Sequence, residues 1–195
     1  KKYFGEFIQL DASEHLWFGN NKHHLHAAID DATGRIVAAY FDHQETLNGY
    51  YHVYHQILRT YGIPFEFFTD RRTVFEYEQK KNKKVEKDTF THFSYACHHL
   101  GTKISTSSVP QAKGRVERLF NTLQSRLIIE LRIHKITTIE EANHFLIGYL
   151  KKFNAQFATE INHNTSVMVE SPSDAELNIM LGILATRKIN NGHHF

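Results

Sequence analysis

Alternation opens the chain. In "EFIQLDAS", Phe7 and Gln9 fall on one side and Ile8 and Leu10 on the other, predicting a first strand that ends near Asp11. "HLWFGNNK" breaks the alternation with Gly19, Asn20 and Asn21 and reads as a loop. "HHLHAAIDDATGRIVAAYF" reads as strand, turn, strand, with Asp30-Asp31 assigned to the hairpin turn and Gly34 free to take positive φ. From Asp42 a helical pattern runs to about Tyr61, with Asp42 and Glu45 spaced as a capping box and Gly62 and Pro64 as the stop. "PFEFFTD" is a short apolar run that predicts a buried strand ending at Asp70. "RRTVFEYEQKKNKKVEKD" is polar and basic and reads as a solvated insertion. "TFTHFSYACHHLG" sets Phe90, Phe93, Ala96, Cys97 and Leu100 on one helical face closed by Gly101, "TKIST" is a short strand, and "SSVPQAKG" is a loop.

The helix that follows carries two stripes. At 100° per residue Val116, Leu119, Phe120, Leu123 and Leu127 form an apolar one, with Lys113, Glu117, Asn121 and Gln124 alongside as a polar one. Thr138 with Glu141 predicts a capped helix through about Phe153, and Ser173 with Glu176 predicts one more. Three strands in a row imply an antiparallel meander, and the later β-α-β-α order adds parallel strands beside it. The expected class is α/β, a five-stranded mixed sheet with its first three strands antiparallel, flanked by helices.

Composition narrows this picture only a little. With 195 residues and 41% hydrophobic content the chain can build one substantial core, to which fifteen Phe and nine Tyr contribute large buried surfaces. A single cysteine, Cys97, rules out an internal disulfide and a multi-cysteine zinc site. No apolar run reaches membrane-spanning length and no leader pattern is visible, so the expected setting is cytoplasmic. A net charge of +2 does not by itself announce nucleic acid. The fifteen histidines are scattered. His24 and His26 share one strand face with His23 opposite, and His98 and His99 close a helix, so neither group reads as a metal site.

The chemistry resides in three carboxylates. Asp11 and Asp70 each end a predicted strand, and Glu117 lies early in the long helix. If the first and fourth strands are neighbours, Asp11 and Asp70 meet at one sheet edge and Glu117 can complete the cluster. Such carboxylates repel one another unless protonated or bridged by cations, and hard oxygen ligands suit Mg²⁺ or Mn²⁺. Two such ions can serve phosphoryl transfer. Each residue also has an ordinary reading: a turn residue for Asp11, a surface pair with Arg71 or Arg72 for Asp70, and a pair with Lys113 for Glu117.

The segments "IQLDAS", "AIDDATGRIVAAYF", "YGIPFEFFTDRRTVF" and "PQAKGRVERLFNTLQSRL" resemble the catalytic core of ISNCY-type insertion-sequence transposases, within the retroviral-integrase-like DDE superfamily and its ribonuclease H-like fold. "TIEEANHFL" and "FNAQFA" extend the resemblance, which covers roughly residues 5 to 160. It implies catalytic and metal-binding roles for Asp11, Asp70 and Glu117 with two Mg²⁺ or Mn²⁺ ions. It also implies DNA cleavage and strand transfer at transposon ends, and a DNA-bound homodimer or higher multimer in a bacterial, nucleoid-associated setting. The DNA-contact candidates are Lys113, Arg115, Arg118, Asn121 and Gln124, together with Arg71, Arg72, Lys80, Lys81, Lys83 and Lys84 of the basic segment. Between Asp70 and Glu117 lie 46 residues, a wider spacing than in retroviral integrases, which that segment absorbs at small closure cost. The expected organisation is an integrase-like core over 1–160, then a helical extension and the start of a truncated β-rich domain over 161–195. The chain thus reads as a fragment of a longer protein. Two alternatives stay open: a ribonuclease H-like nuclease without strand transfer, and a catalytically inactive DNA-binding remnant.

Overall fold

The structure, a computed structural model, describes residues 1–70, 86–107, 114–161 and 165–182; the side chains of 70, 86–91 and 107 are outside that description. Five strands form one sheet in the order β3-β2-β1-β4-β5. β1 (Ile8–His15), β2 (His23–Asp30) and β3 (Ile36–Asp42) make the antiparallel meander. β4 (Glu66–Asp70) joins β1 in parallel, and β5 (Lys103–Ser107) joins β4 in parallel. Helices α1 (Leu47–Thr60), α2 (Glu86–Leu100), α3 (Gly114–Ile133), α4 (Ile139–Phe157) and α5 (Asp174–Met180) complete the fold. The mixed sheet expected from the hydrophobic pattern is the sheet observed.

Strand alternation divides the core in two. Ile8 and Leu10 point to the layer of α1 and α2, where Tyr50, Tyr54, Phe67, Phe93 and Cys97 are fully buried. Leu25, Ala27 and Phe41 point to the other layer, against Leu119, Leu123 and Leu127 of α3 and Leu146 of α4. Every residue of the apolar stripe predicted on α3 is buried. Residues 165–182 also pack on the first layer: Val169 bridges to Ile63, and Leu177 of α5 is buried there.

Asp30 ties the β2–β3 turn, as assigned. Its buried carboxylate accepts the Gly5 and Thr33 N–H groups and the Thr33 hydroxyl at 2.9, 2.8 and 2.7 Å. Gly34 takes φ +70°, the left-handed conformation that the turn requires.

Three amides close the exposed edge of β3, where a strand's outward N–H and C=O groups lack a ladder partner. Asn154 bonds both to the Ile36 N–H and to its carbonyl, at 2.9 and 2.8 Å. Gln56 does the same for Ala39 at 3.3 and 3.1 Å, and Asn143 for Phe41 at 2.7 and 3.0 Å.

Four boundaries differ from the pattern. β1 continues past Asp11 to His15, because β2 pairs with it along that whole length. The α1 cap is Thr46, whose hydroxyl oxygen accepts the Gly49 N–H at 2.9 Å, and not Asp42. Asp42 ends β3 and accepts the Thr46 hydroxyl at 2.6 Å, so it supports the cap at one remove. α2 begins at Glu86, inside the stretch read as an insertion. α4 starts with the expected Thr138–Glu141 capping box but runs to Phe157. The predicted β-rich start falls on 183–195, outside the described residues.

Candidate active site

β1 and β4 part company at the site. Their registered pairs are Ile8 with Phe67 and Gln9 with Phe68. Among the described residues, β1 stays in register with β2 to His15, and β4 with β5 as far as Asp70 opposite Ser107. The same register carried two residues further sets Asp11 level with Asp70, across a fork between the strands. The fork lies where the antiparallel meander gives way to parallel strands, at the carboxyl end of β4 and β5. Crevices at such ends of open α/β sheets are where ligands bind.

α3 crosses β1 on the face that carries Asp11. Strand alternation puts Gln9, Asp11 and Ser13 on one side. Gln9 Oε1 accepts the Val116 N–H at 3.0 Å, and Gln124 Nε2 donates to Ser13 Oγ at 3.1 Å. Asp11 lies between these two bridges along the strand, and Glu117 lies between them along the helix. Asp11 is half-buried and its own carboxylate accepts the Ala12 N–H at 3.0 Å, while Glu117 is exposed. β1 is thus the neighbour of β4, and the first turn of α3 is bonded to β1 two residues before Asp11.

The predicted DNA contacts fare unevenly. Arg115 is half-exposed, and its Nε is 3.1 Å from Asp31 Oδ1. Arg118 and Asn121 are exposed on the outer side of α3, with the Arg118 guanidinium over Gly114. Gln124 faces inward to Ser13. Lys113, Arg71, Arg72, Lys80, Lys81, Lys83 and Lys84 are outside the described residues. Sequence reading missed Gln9, Ser13 and the second role of Asp31, which accepts from Gln9 Nε2 at 3.2 Å as well as from Arg115. The signal was present: Gln9 is polar within an apolar run and shares its parity with Asp11.

Among the described residues no three His, Cys, Asp or Glu side chains are grouped to hold a metal ion, and the Asp70 side chain is not one of those described. The donor chemistry nonetheless fits a hard divalent cation: Asp11 and Glu117 offer carboxylate oxygens, and histidine and cysteine take no part.

A five-stranded mixed sheet in the order β3-β2-β1-β4-β5 with helices on both faces is the ribonuclease H-like fold of integrase catalytic cores. The HTLV-2 integrase catalytic core domain in complex with magnesium, in its dimeric form, superposes with a TM-score of 0.53 at 20% identity, covering 73% of this chain and 83% of that one. The simian T-cell lymphotropic virus intasome chain gives a TM-score of 0.57 at 14% identity, covering 98% of this chain and 59% of its own length. No family model matches the sequence. The sequence is 56% identical over 194 residues to the transposase for insertion sequence IS1202 of Streptococcus pneumoniae, and spans 41% of that relative's length. The chain has the fold of integrase catalytic cores, and its sequence is similar to insertion-sequence transposases, of which it spans less than half the length.

Proposed function

We propose that the chain is the catalytic core of a DDE transposase, a polynucleotidyl transferase that cuts DNA at transposon ends and joins the freed end to target DNA. The observation that carries the reading is the fork. The register of Ile8 with Phe67 and Gln9 with Phe68, carried two residues further, would set Asp11 level with Asp70, and the Gln9–Val116 and Ser13–Gln124 bridges tie α3 to the same strand on either side of Asp11, which supports the reading. Asp11, Asp70 and Glu117 are the residues that would hold Mg²⁺ or Mn²⁺. Two such ions, when bound, would activate a water or 3′-hydroxyl nucleophile and stabilise the leaving oxygen.

The chain's own groups position the DNA. Arg118 and Asn121, exposed beside Glu117, offer donors to phosphate oxygens and base edges. Lys113 and the basic segment with Arg71, Arg72, Lys80, Lys81, Lys83 and Lys84 extend the same positive character in sequence. Arg115 contributes while paired with Asp31. No nucleophilic side chain takes part, so no covalent protein–DNA intermediate forms. On this reading the working form is a multimer, which the dimeric integrase core and the intasome among the structural relatives support.

The test is a product assay. Labelled duplexes of the element's terminal sequences are incubated with the chain, a target plasmid and Mg²⁺ or Mn²⁺. Joined products, lost in Asp11→Asn, Asp70→Asn and Glu117→Gln with the fold retained, support the reading. Cut strands without joined products identify a nuclease, and DNA binding without any cleavage identifies a remnant.

A further inference from the structure

A ring of four residues locks the helix that bears Glu117 to the strand that bears Asp11. Gln9 is buried at 4% exposure, two residues before Asp11 on the same face of β1. Its Oε1 accepts the Val116 N–H at 3.0 Å. That N–H lies in the first turn of α3, where helix geometry supplies no intrahelical acceptor. Its Nε2 donates to Asp31 Oδ1 at 3.2 Å, which fixes which end of the amide faces the helix. The same Asp31 oxygen accepts from Arg115 Nε at 3.1 Å, and Arg115 precedes Val116 in the chain. The ring closes through Gln9, Asp31, Arg115 and Val116, and Glu117 is the next residue.

We infer that Gln9, oriented by Asp31, is a positioning residue that sets Glu117 against Asp11 and so sets the geometry in which the divalent ions are held. The inference rests on the reading of Asp11 and Glu117 as metal ligands. Successive same-face residues of a strand are about 7 Å apart. The bridge from Gln9 to the residue before Glu117 is therefore a short, stiff link between the two carboxylates. Groups that orient metal ligands change metal affinity by about 10–100-fold when removed. A purely structural rivet would change stability and leave affinity alone.

The test is calorimetric Mn²⁺ titration of the chain and of Asp11→Asn, Gln9→Leu and Asp31→Ala, each checked by circular dichroism and thermal melting. Gln9→Leu removes both amide bonds at similar volume. Asp31→Ala removes the anchor from a partly exposed position and decides the matter if Gln9→Leu does not fold. The expected result is loss of binding in Asp11→Asn, a Kd at least about tenfold weaker in Gln9→Leu, and a severalfold weaker Kd in Asp31→Ala. If Asp11→Asn loses binding but each folded ring variant stays within about twofold of the unaltered chain, the positioning role is overturned and the metal site stands. If Asp11→Asn titrates like the unaltered chain, or the unaltered chain binds no Mn²⁺, the metal-site reading fails and this inference with it.

Discussion

Replacing Asn154 by leucine should unfasten the edge of β3 where the tying amide is most buried. Asn154 is 5% exposed and Ile36 is 1% exposed, so water does not reach the two backbone groups that the amide satisfies at 2.9 and 2.8 Å. Leucine fills nearly the same space and offers neither donor nor acceptor. Two buried backbone groups lose their partners, each costing about 1–3 kcal/mol, and the added apolar burial returns about 1 kcal/mol. The net loss is about 1–5 kcal/mol. For a domain of this size each kcal/mol moves Tm by about 2–4 °C, so a fall of roughly 2–20 °C is expected. The single tryptophan, Trp17, is buried in the same layer and packs edge-on against Phe41 of β3, so urea unfolding followed by its fluorescence reads this region directly. Asn143→Leu supplies the comparison. It removes an equivalent pair of bonds, to the buried Phe41, but Asn143 itself is partly exposed, so water can take the place of its amide, and the loss should be about 0.5–1.5 kcal/mol. Equal losses in the two variants, or less than about 1 kcal/mol for Asn154→Leu, would refute the argument that buried edge groups carry the cost.

His26 should make the fold acid-sensitive. Burial pushes its imidazole down to about 4, and in the neutral ring one nitrogen faces the Tyr40 carbonyl while the other accepts the Thr46 N–H. Unfolded chains take up the proton below about pH 6.5 and the folded chain resists until about 4, so stability is full above 6.5 and falls by about 3 kcal/mol as pH drops to 4. Subtracting the pH profile of His26→Gln from that of the unaltered chain should isolate this slope, and identical profiles would sink it. Gly49→Ala should destabilise by about 1–3 kcal/mol, because the new methyl group would overlap the His26 ring, and thermal melting measures it. Glu117→Gln should abolish DNA cleavage while leaving Tm within a few degrees, since the side chain is exposed; near-normal cleavage would remove Glu117 from the site.

Periodicity carried much of this architecture. The stripe from Val116 to Leu127 is buried because a 3.6-residue repeat can face only one way against a sheet. The meander and the parallel strands followed from alternation, turn residues and element order. The end of β1 was misjudged because Asp11, Ser13 and His15 look like a strand running out into solvent, whereas the strand continues under α3 and Ser13 has a partner 111 positions away in Gln124. The α1 cap was misplaced because Asp42 and Thr46 both carry suitable oxygens, and only the β3 pairing shows that Asp42 still belongs to a strand. The amides on β3 have no local signature: Asn154 and Ile36 are 118 positions apart. The three acids are proposed from the resemblance, while the ring through Gln9 became visible only once α3 lay across β1.

The opening between β1 and β4 is formed by main chain, where the registered pairing of the two strands ends. Side-chain exchange from carboxylate to amide therefore changes the charge within it and leaves its outline intact. Chemistry and shape are separable at this crevice. Inactive amide variants should still accept a DNA strand in its working position, which makes them suitable for capturing the assembled complex before any bond is broken.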